Sequence, residues 1–490
     1  MAKQPNAKKS RPPSGASNSK ASERVTKDAS PAARATAPAQ RATGGHHRDT
    51  WILFVLVVIV YVATATVSVT VVGKRAYFSN DVFFSAYPAW TIAKLHTLNI
   101  DTVITQLGIK SGWGFIVGDH LRSDRFPGPI LWAVPFYFIA GGSRFSIGPS
   151  AVAAAVGTAI AVALIHRVLL QIVGRRTALG GALLFALATG AWSVSADSLW
   201  THPTCLMGLA LGTWMVARGN FAASGIGYSV AILSRPHTAV VAAITGVWES
   251  VVRRSWRPVI LTGLTSAVGL ALLIGYNKLN AGSWDIFPGS YNGRFDAAIN
   301  TGVGGQARPT LWTGDIAATF FSPLRGLFVY SPFLLVLIPG IPAAWRAAPA
   351  WVRSSAVGAA VYFVIQLAGN TWIGATDIFG YRLPLEPLLL CAPLLALSYT
   401  AWTARWAWSR WAFAVLSAVS VWWFAVGAVT RTPALNSLRE EVPWSEWQVP
   451  LVVKAHSPIV WLLAAVLAVA VPWALSRIPT SSRDTFEGAV

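Results

Sequence analysis

Charge is scarce in this chain. Asp, Glu, Lys and Arg make up 12% of its 490 residues, about half the share expected of a soluble domain. A soluble globular enzyme is therefore excluded. Cysteine is almost missing too: Cys205 and Cys391 both sit in or beside apolar runs, which provides neither a disulfide framework nor a metal site. No phosphate loop occurs, because Gly302-Val303-Gly304-Gly305 lacks a following Lys-Ser or Lys-Thr; this argues against an ATP-driven pump. The alternating ten-residue strands of a membrane barrel are absent. No cleavable signal peptide is expected, since the first apolar run starts only at Trp51 and is full length.

The chain is rich in apolar runs. Hydrophobic residues form 54% of it, and runs of about 20 residues, each able to span a bilayer core as a helix, recur from Trp51 onward. The fold class is all-α, a polytopic integral membrane protein with about 12 or 13 spans. Most of the 24 Trp fall near span ends, where amphipathic rings settle at headgroup level.

The net charge of +20 does not point to nucleic acid. Ten of the 39 Lys and Arg lie in residues 1–50, against three acids. That segment has little to bury and reads as a disordered basic cytoplasmic tail, serving as a topology signal or as a tether to anionic lipid. Residues 51–400 read as a transmembrane module with external loops at 73–126 and 277–325. Residues 401–476 read as C-terminal transmembrane helices, and 477–490 as a short cytoplasmic tail. Positive-inside counting puts Arg175, Arg218, Arg253, Arg346, Arg353 and Arg405 in the cytoplasm. Asp81, Asp119, Asp124 and Asp197 then come out extracytoplasmic, with any chemistry they carry. Pro127–Ala140 is short for a crossing and either re-enters or crosses.

Polar residues concentrate in Ser79–Gly142. Asp81, after Asn80 at the mouth of the first span, reads as a general base or as the N-cap of the next helix. That helix, Asp81–Leu98, is expected to lie along the membrane surface. Asp119-His120 and Asp124 read as a weak ion site or as solvated loop charge. Arg125, before Pro127-Gly128-Pro129, reads as a phosphate ligand at headgroup level or an interfacial anchor. Arg235 and His237 sit in a break between half-length helices, Trp200 and His202 in an external turn, and Arg382 and Glu386 four apart as an ion pair.

As a set, these pieces resemble the GT-C superfamily of polytopic glycosyltransferases, close to its protein O-mannosyltransferase and aminoarabinose-transferase branches. The resemblance spans roughly 51–400. It rests on Asp81 after the first span, Arg125-Phe126-Pro127-Gly128, Trp200-Thr201-His202-Pro203 and Leu233-Ser234-Arg235-Pro236. It also rests on Phe321-Ser322-Pro323-Leu324-Arg325-Gly326 and Phe379-Gly380-Tyr381-Arg382-Leu383-Pro384.

The resemblance implies a polyprenyl-phosphate sugar donor and an envelope glycan, lipid or protein as hydroxyl acceptor, at the extracytoplasmic face of the cell membrane. It implies Asp81 as the catalytic base and Arg125 as a donor-phosphate ligand. Val82 and Phe84 stand where a second acid and an arginine are common in that family. This removes the support for a metal, so no cofactor is expected, and it moves the second phosphate contact elsewhere, to Arg235. Asn80, Asp124, His202, His237, Trp284, Tyr291, Trp372 and Arg382 complete the expected substrate pocket. A flippase of polyprenyl-linked sugars predicts internal repeats and mid-membrane charges, which the sequence does not display. A GT-C-like subunit without catalysis fits the missing second acid.

Overall fold

The computed structural model describes residues 44–70, 79–109, 114–288, 311–369, 378–430 and 447–476. Tyr291 and Trp372 lie outside these residues, as do most of the N-terminal tail and the C-terminal tail. Helix dominates. In chain order the helices are α1 (Gly44–Thr70), α2 (Asn80–Leu95), α3 (Asp101–Leu107), α4 (Pro127–Ala140), α5 (Gly148–Leu169), α6 (Arg175–Leu187), α7 (His202–Ala217), α8 (Phe221–Ser234), α9 (Ala239–Arg253) and α10 (Arg257–Ala281). They continue as α11 (Leu311–Phe321), α12 (Leu327–Tyr330), α13 (Phe333–Leu337), α14 (Ile341–Ala347), α15 (Ala350–Gly369), α16 (Leu385–Ala401), α17 (Ala407–Val429) and α18 (Gln448–Ser476). Among the described residues the strands are one hairpin, β1 (Phe115–Val117) against β2 (His120–Arg122), with Val117 opposite His120.

Six helices among the described residues are long and apolar enough to cross a membrane: His47–Thr66, Gly148–Leu169, Arg257–Ala281, Ala350–Ala368, Leu385–Arg405 and Ala407–Val429. The chain is thus a polytopic α-helical membrane protein. Other apolar runs fold as shorter pieces because the backbone breaks them. A 3₁₀ turn at Ile338–Gly340 separates α13 from α14, and a π-turn at Ala191–Ser195 follows α6.

Two local expectations change, and a third point left open by the sequence is decided. First, α1 starts at Gly44 and not at Trp51, so the end of the segment read as disordered tail is helical. Contacts with α5 and α6 carry the extra turns: Arg175 Nη2 donates to Asp49 Oδ1 at 2.6 Å, and Thr50 Oγ1 meets His166 Nδ1 at 3.0 Å. Second, α2 is a buried helix. Val82, Phe84, Tyr87 and Trp90 are buried, and so are Ser85, Ala86, Ala89, Thr91 and Ala93. Ser85, Ala86, Ala89 and Ala93 fall together on one face, where small side chains let a neighbouring helix close in.

Third, α4 returns to the side it came from. It starts beside Arg125, and its end is tied back to α2 and α3. Lys94 Nζ donates to Phe138 O at 3.5 Å and Gln106 Nε2 to Ser143 O at 3.4 Å. α5 then crosses to the α1 start, where Thr50 meets His166. Arg175 therefore shares an end of the bundle with the beginning of α1, as positive-inside counting requires of a non-crossing Pro127–Ala140.

Candidate active site

Three segments from distant parts of the chain meet beyond the far end of α1. The first is the start of α2. Ser79, not Asp81, is its N-cap: Ser79 Oγ accepts the Asp81 N–H at 3.3 Å. Asp81 sits in the first turn, where a carboxylate opposes the positive end of the helix dipole. Its side chain is therefore not spent on capping.

The second segment is Ser123–Arg125, leading into α4. Ser123 Oγ donates to Phe84 O of α2 and accepts the Arg125 N–H at 3.1 Å. Asn280 Nδ2 of α10 donates to Ser123 O at 2.6 Å. Gly128 brings the head of α4 against the tail of α8: a Cβ there would collide with Ser234 Oγ and press on the Ser234 backbone nitrogen at 2.9 Å. Any larger residue would push apart the segments that carry Arg125 and Arg235.

The third segment is Ile378–Pro384, before α16. Gly380 turns it, at φ +75°, a conformation natural to glycine. Arg325, itself buried, donates from Nη1 to Ile378 O and, at 3.0 Å, to Gly380 O. Gln448 donates to Ile378 O at 2.9 Å and accepts the Gly380 N–H at 3.1 Å. Ser193 Oγ donates to Phe379 O at 2.9 Å, and Ser331 Oγ meets the Tyr381 hydroxyl at 2.8 Å. The two motifs around Arg325 and Arg382 are thus two halves of one hydrogen-bonded support that fixes the backbone under Arg382.

These segments converge on Asp81. Arg125 Nη1 lies 2.7 Å from Asp81 Oδ1, and Arg382 Nη1 lies 3.3 Å from Asp81 Oδ2. Asp124 holds the other edge of Arg125, with Nη2 donating to Oδ2 at 3.1 Å and Nε 3.0 Å from Oδ1. The Arg382 guanidinium stacks over Trp200, 4.7 Å from the ring centroid. The two arginine side chains are 4% and 9% exposed, whereas that of Asp81 is 29% exposed. The carboxylate is the reachable member of the group.

A second ionic group lies at the head of α16, four residues after Arg382. Glu386 of α16 is fully buried, and its Oε1 is 2.7 Å from His202 Nδ1 and 3.5 Å from Arg235 Nε. Arg235 Nη2 approaches His202 Nε2 at 3.1 Å, while Nε donates to Thr201 Oγ1 at 2.9 Å and Nη1 to the Tyr362 hydroxyl at 3.2 Å. One proton arrangement satisfies this chain. A guanidinium can only donate, so Nε2 accepts and Nδ1–H donates to the carboxylate. His202 is then neutral, between an anion and a cation. His237 stacks on Tyr362 with centroids 4.9 Å apart and planes 14° from parallel.

The site residues read from the sequence therefore separate. Asp81, Asp124, Arg125 and Arg382 come together, with Trp200 beneath. His202, Arg235 and His237 form the inner group. Arg235 makes no ion pair with Asp81 among the described residues; its acid is Glu386. The expected Arg382–Glu386 pair does not form, because Arg382 precedes the helix that begins at Leu385, and the i,i+4 geometry needs both residues on it. His120 pairs with Asp101 at 3.0 Å, on the surface, and not with Asp119 or Asp124. Asn80 is exposed, and Trp284 is 66% exposed with Lys278 Nζ over its ring at 5.6 Å. Sequence reasoning gave Glu386 no role of its own, and it missed Tyr362 and the supporting role of Arg325. A carboxylate inside an apolar helix is costly unless paired, and that cost was the available signal for Glu386. Among the described residues no group of three His, Cys, Asp or Glu is arranged to hold a metal.

No protein-family model matches the chain, and no curated protein does. Among solved structures it is similar to ArnT from Cupriavidus metallidurans bound to undecaprenyl phosphate, with 14% identity and a TM-score of 0.46 over 89% of this chain and 75% of that one. The apo state of ArnT gives 15% identity and a TM-score of 0.47 over 90% of this chain and 76% of that one.

Proposed function

We propose that the chain is an inverting membrane glycosyltransferase, moving a monosaccharide from a polyprenyl-phosphate donor to a hydroxyl of an envelope glycan, lipid or protein at the outer face of the cell membrane. The observation that carries this reading is the reachable Asp81 carboxylate between two nearly buried arginines, Arg125 and Arg382. A base beside two fixed cations suits a reaction that takes a proton from one partner and releases an anion from the other.

In the reaction the acceptor oxygen attacks the anomeric carbon. The carbon–oxygen bond to phosphate breaks on the opposite side, and its electron pair leaves with the polyprenyl phosphate. The hydroxyl proton passes to Asp81. Single displacement of this kind inverts the anomeric centre. Arg125 and Arg382 hold the phosphate as its charge grows. We assign the second phosphate contact to Arg382 rather than Arg235, because Arg235 is engaged by Glu386, His202, Thr201 and Tyr362. No cofactor enters the scheme.

The test is transfer of radiolabelled sugar from a synthetic polyprenyl-phosphate donor by the purified chain. Asp81→Asn keeps the size of the side chain and one acceptor oxygen, and it is expected to abolish transfer while donor binding and thermal stability persist. Full activity in that variant would remove Asp81 from the reaction. Donor binding by the wild type without any transfer would favour a carrier or a non-catalytic subunit.

A further inference from the structure

The end of the bundle opposite Asp81 carries a polar group that the proposed reaction does not use. α7 runs from His202, beside Glu386, for 16 residues, a rise of about 24 Å. Trp214 sits in its last turn. Two guanidinium carbons lie over this one indole: that of Arg167, from the last turn of α5, at 5.6 Å from the ring centroid, and that of Arg218, just past α7, at 5.5 Å. Neighbouring arginines at this end have acids of their own, Arg175 with Asp49 and Arg253 with Glu249. Neither Arg167 nor Arg218 has an acid partner among the described residues. The Trp214 Nε1–H is buried and has no acceptor among the described residues.

Two cations at one ring repel each other, and a buried indole N–H without an acceptor is unfavourable. A single anion lodged among them would relieve both. We propose that Arg167, Arg218 and Trp214 form a binding site for the phosphate of an anionic lipid headgroup, on the membrane face opposite the Asp81 site. Guanidinium forks suit phosphate oxygens, and the cation–π contacts hold both forks in place. The position favours a lipid over phosphate from solution: α5 is a membrane-length helix ending at Leu169, so Arg167 in its last turn, and the Trp214 ring it covers, sit at headgroup depth.

The experiment is native mass spectrometry of the full-length protein titrated with phosphatidylglycerol, with phosphatidylcholine as the zwitterionic control. The wild type should retain one phosphatidylglycerol more tightly than the rest and show no such preference for phosphatidylcholine. Arg167→Gln and Arg218→Gln should each weaken that binding about tenfold, the loss of one charge-assisted contact. Trp214→Phe, which keeps a ring and removes the donor, should weaken it less. Arg254→Gln, a neighbouring exposed arginine with no contact to Trp214, should leave it unchanged. Arg218 is exposed beyond the helix end, so its variant folds even if Arg167→Gln does not. Equal retention of the two lipids, unchanged affinity in Arg218→Gln, or the same loss in Arg254→Gln overturns the site. Displacement of the lipid by inorganic phosphate at equal concentration overturns the lipid as its ligand.

Discussion

The two ionic groups near the head of α16 use the same materials to opposite ends. Each has one carboxylate between two basic side chains: Asp81 with Arg125 and Arg382, Glu386 with His202 and Arg235. Their exposure differs. The Asp81 side chain is 29% exposed, while those of Glu386 and His202 are at 0%. A sealed charge can do no work on a substrate it never meets. It can join the Thr201–His202 turn to the start of α16, and so hold Trp200 and Arg382 at the depth that Asp81 requires. The open group is the candidate for chemistry and the closed group for its placement.

Substitutions separate these roles. The largest effect is expected for Asp81→Asn, with transfer lost and folding retained, as measured by radiolabelled transfer beside a thermal melt. Glu386→Gln should act in the reverse sense. It leaves Arg235 buried without its counter-charge, at a cost of about 3–5 kcal/mol, and a chemical or thermal denaturation series would show a folding defect whatever the activity. Arg382→Ala should lower turnover about a hundredfold while changing stability little, the scale expected when one charge-stabilising donor is removed. If Arg382→Ala instead destabilises as much as Glu386→Gln, the division between the groups fails. Gly380→Ala, which forces φ +75° on a residue with a side chain, should cost about 1 kcal/mol and lower activity through the backbone under Arg382. The smallest effect belongs to Arg175→Gln at the far end, an exposed arginine paired with Asp49, where no change in transfer is expected.

Much of this was legible in the sequence. Length and polarity of the apolar runs are local properties, so the helical membrane fold follows directly from them. Asp81 and Arg125 stand out because each is a charge beside an apolar run, and the structure brings them within 2.7 Å. The partners of Arg382 and Glu386 were illegible, because spacing of four implies a pair only if the helix includes both residues, and helix starts are hard to read to within a turn. The burial of α2 was missed for a related reason: its small residues look polar enough for a surface, and only their packing against other helices shows otherwise. Arg325 stabilises carbonyls 53 and 55 positions away, a relation with no trace in local pattern.

The way Asp124 grips Arg125 has a kinetic consequence under the proposed reaction. Asp124 takes the Nε and Nη2 edge, and Nη1 faces Asp81. A phosphate arriving at Arg125 must share or take over that Nη1 contact, which loosens the hold on the carboxylate. Asp81 would then become free to receive a proton only after the donor is seated. The two substrates would add in a fixed order, donor first, and an acceptor or a stray water that arrives early would find the base still occupied.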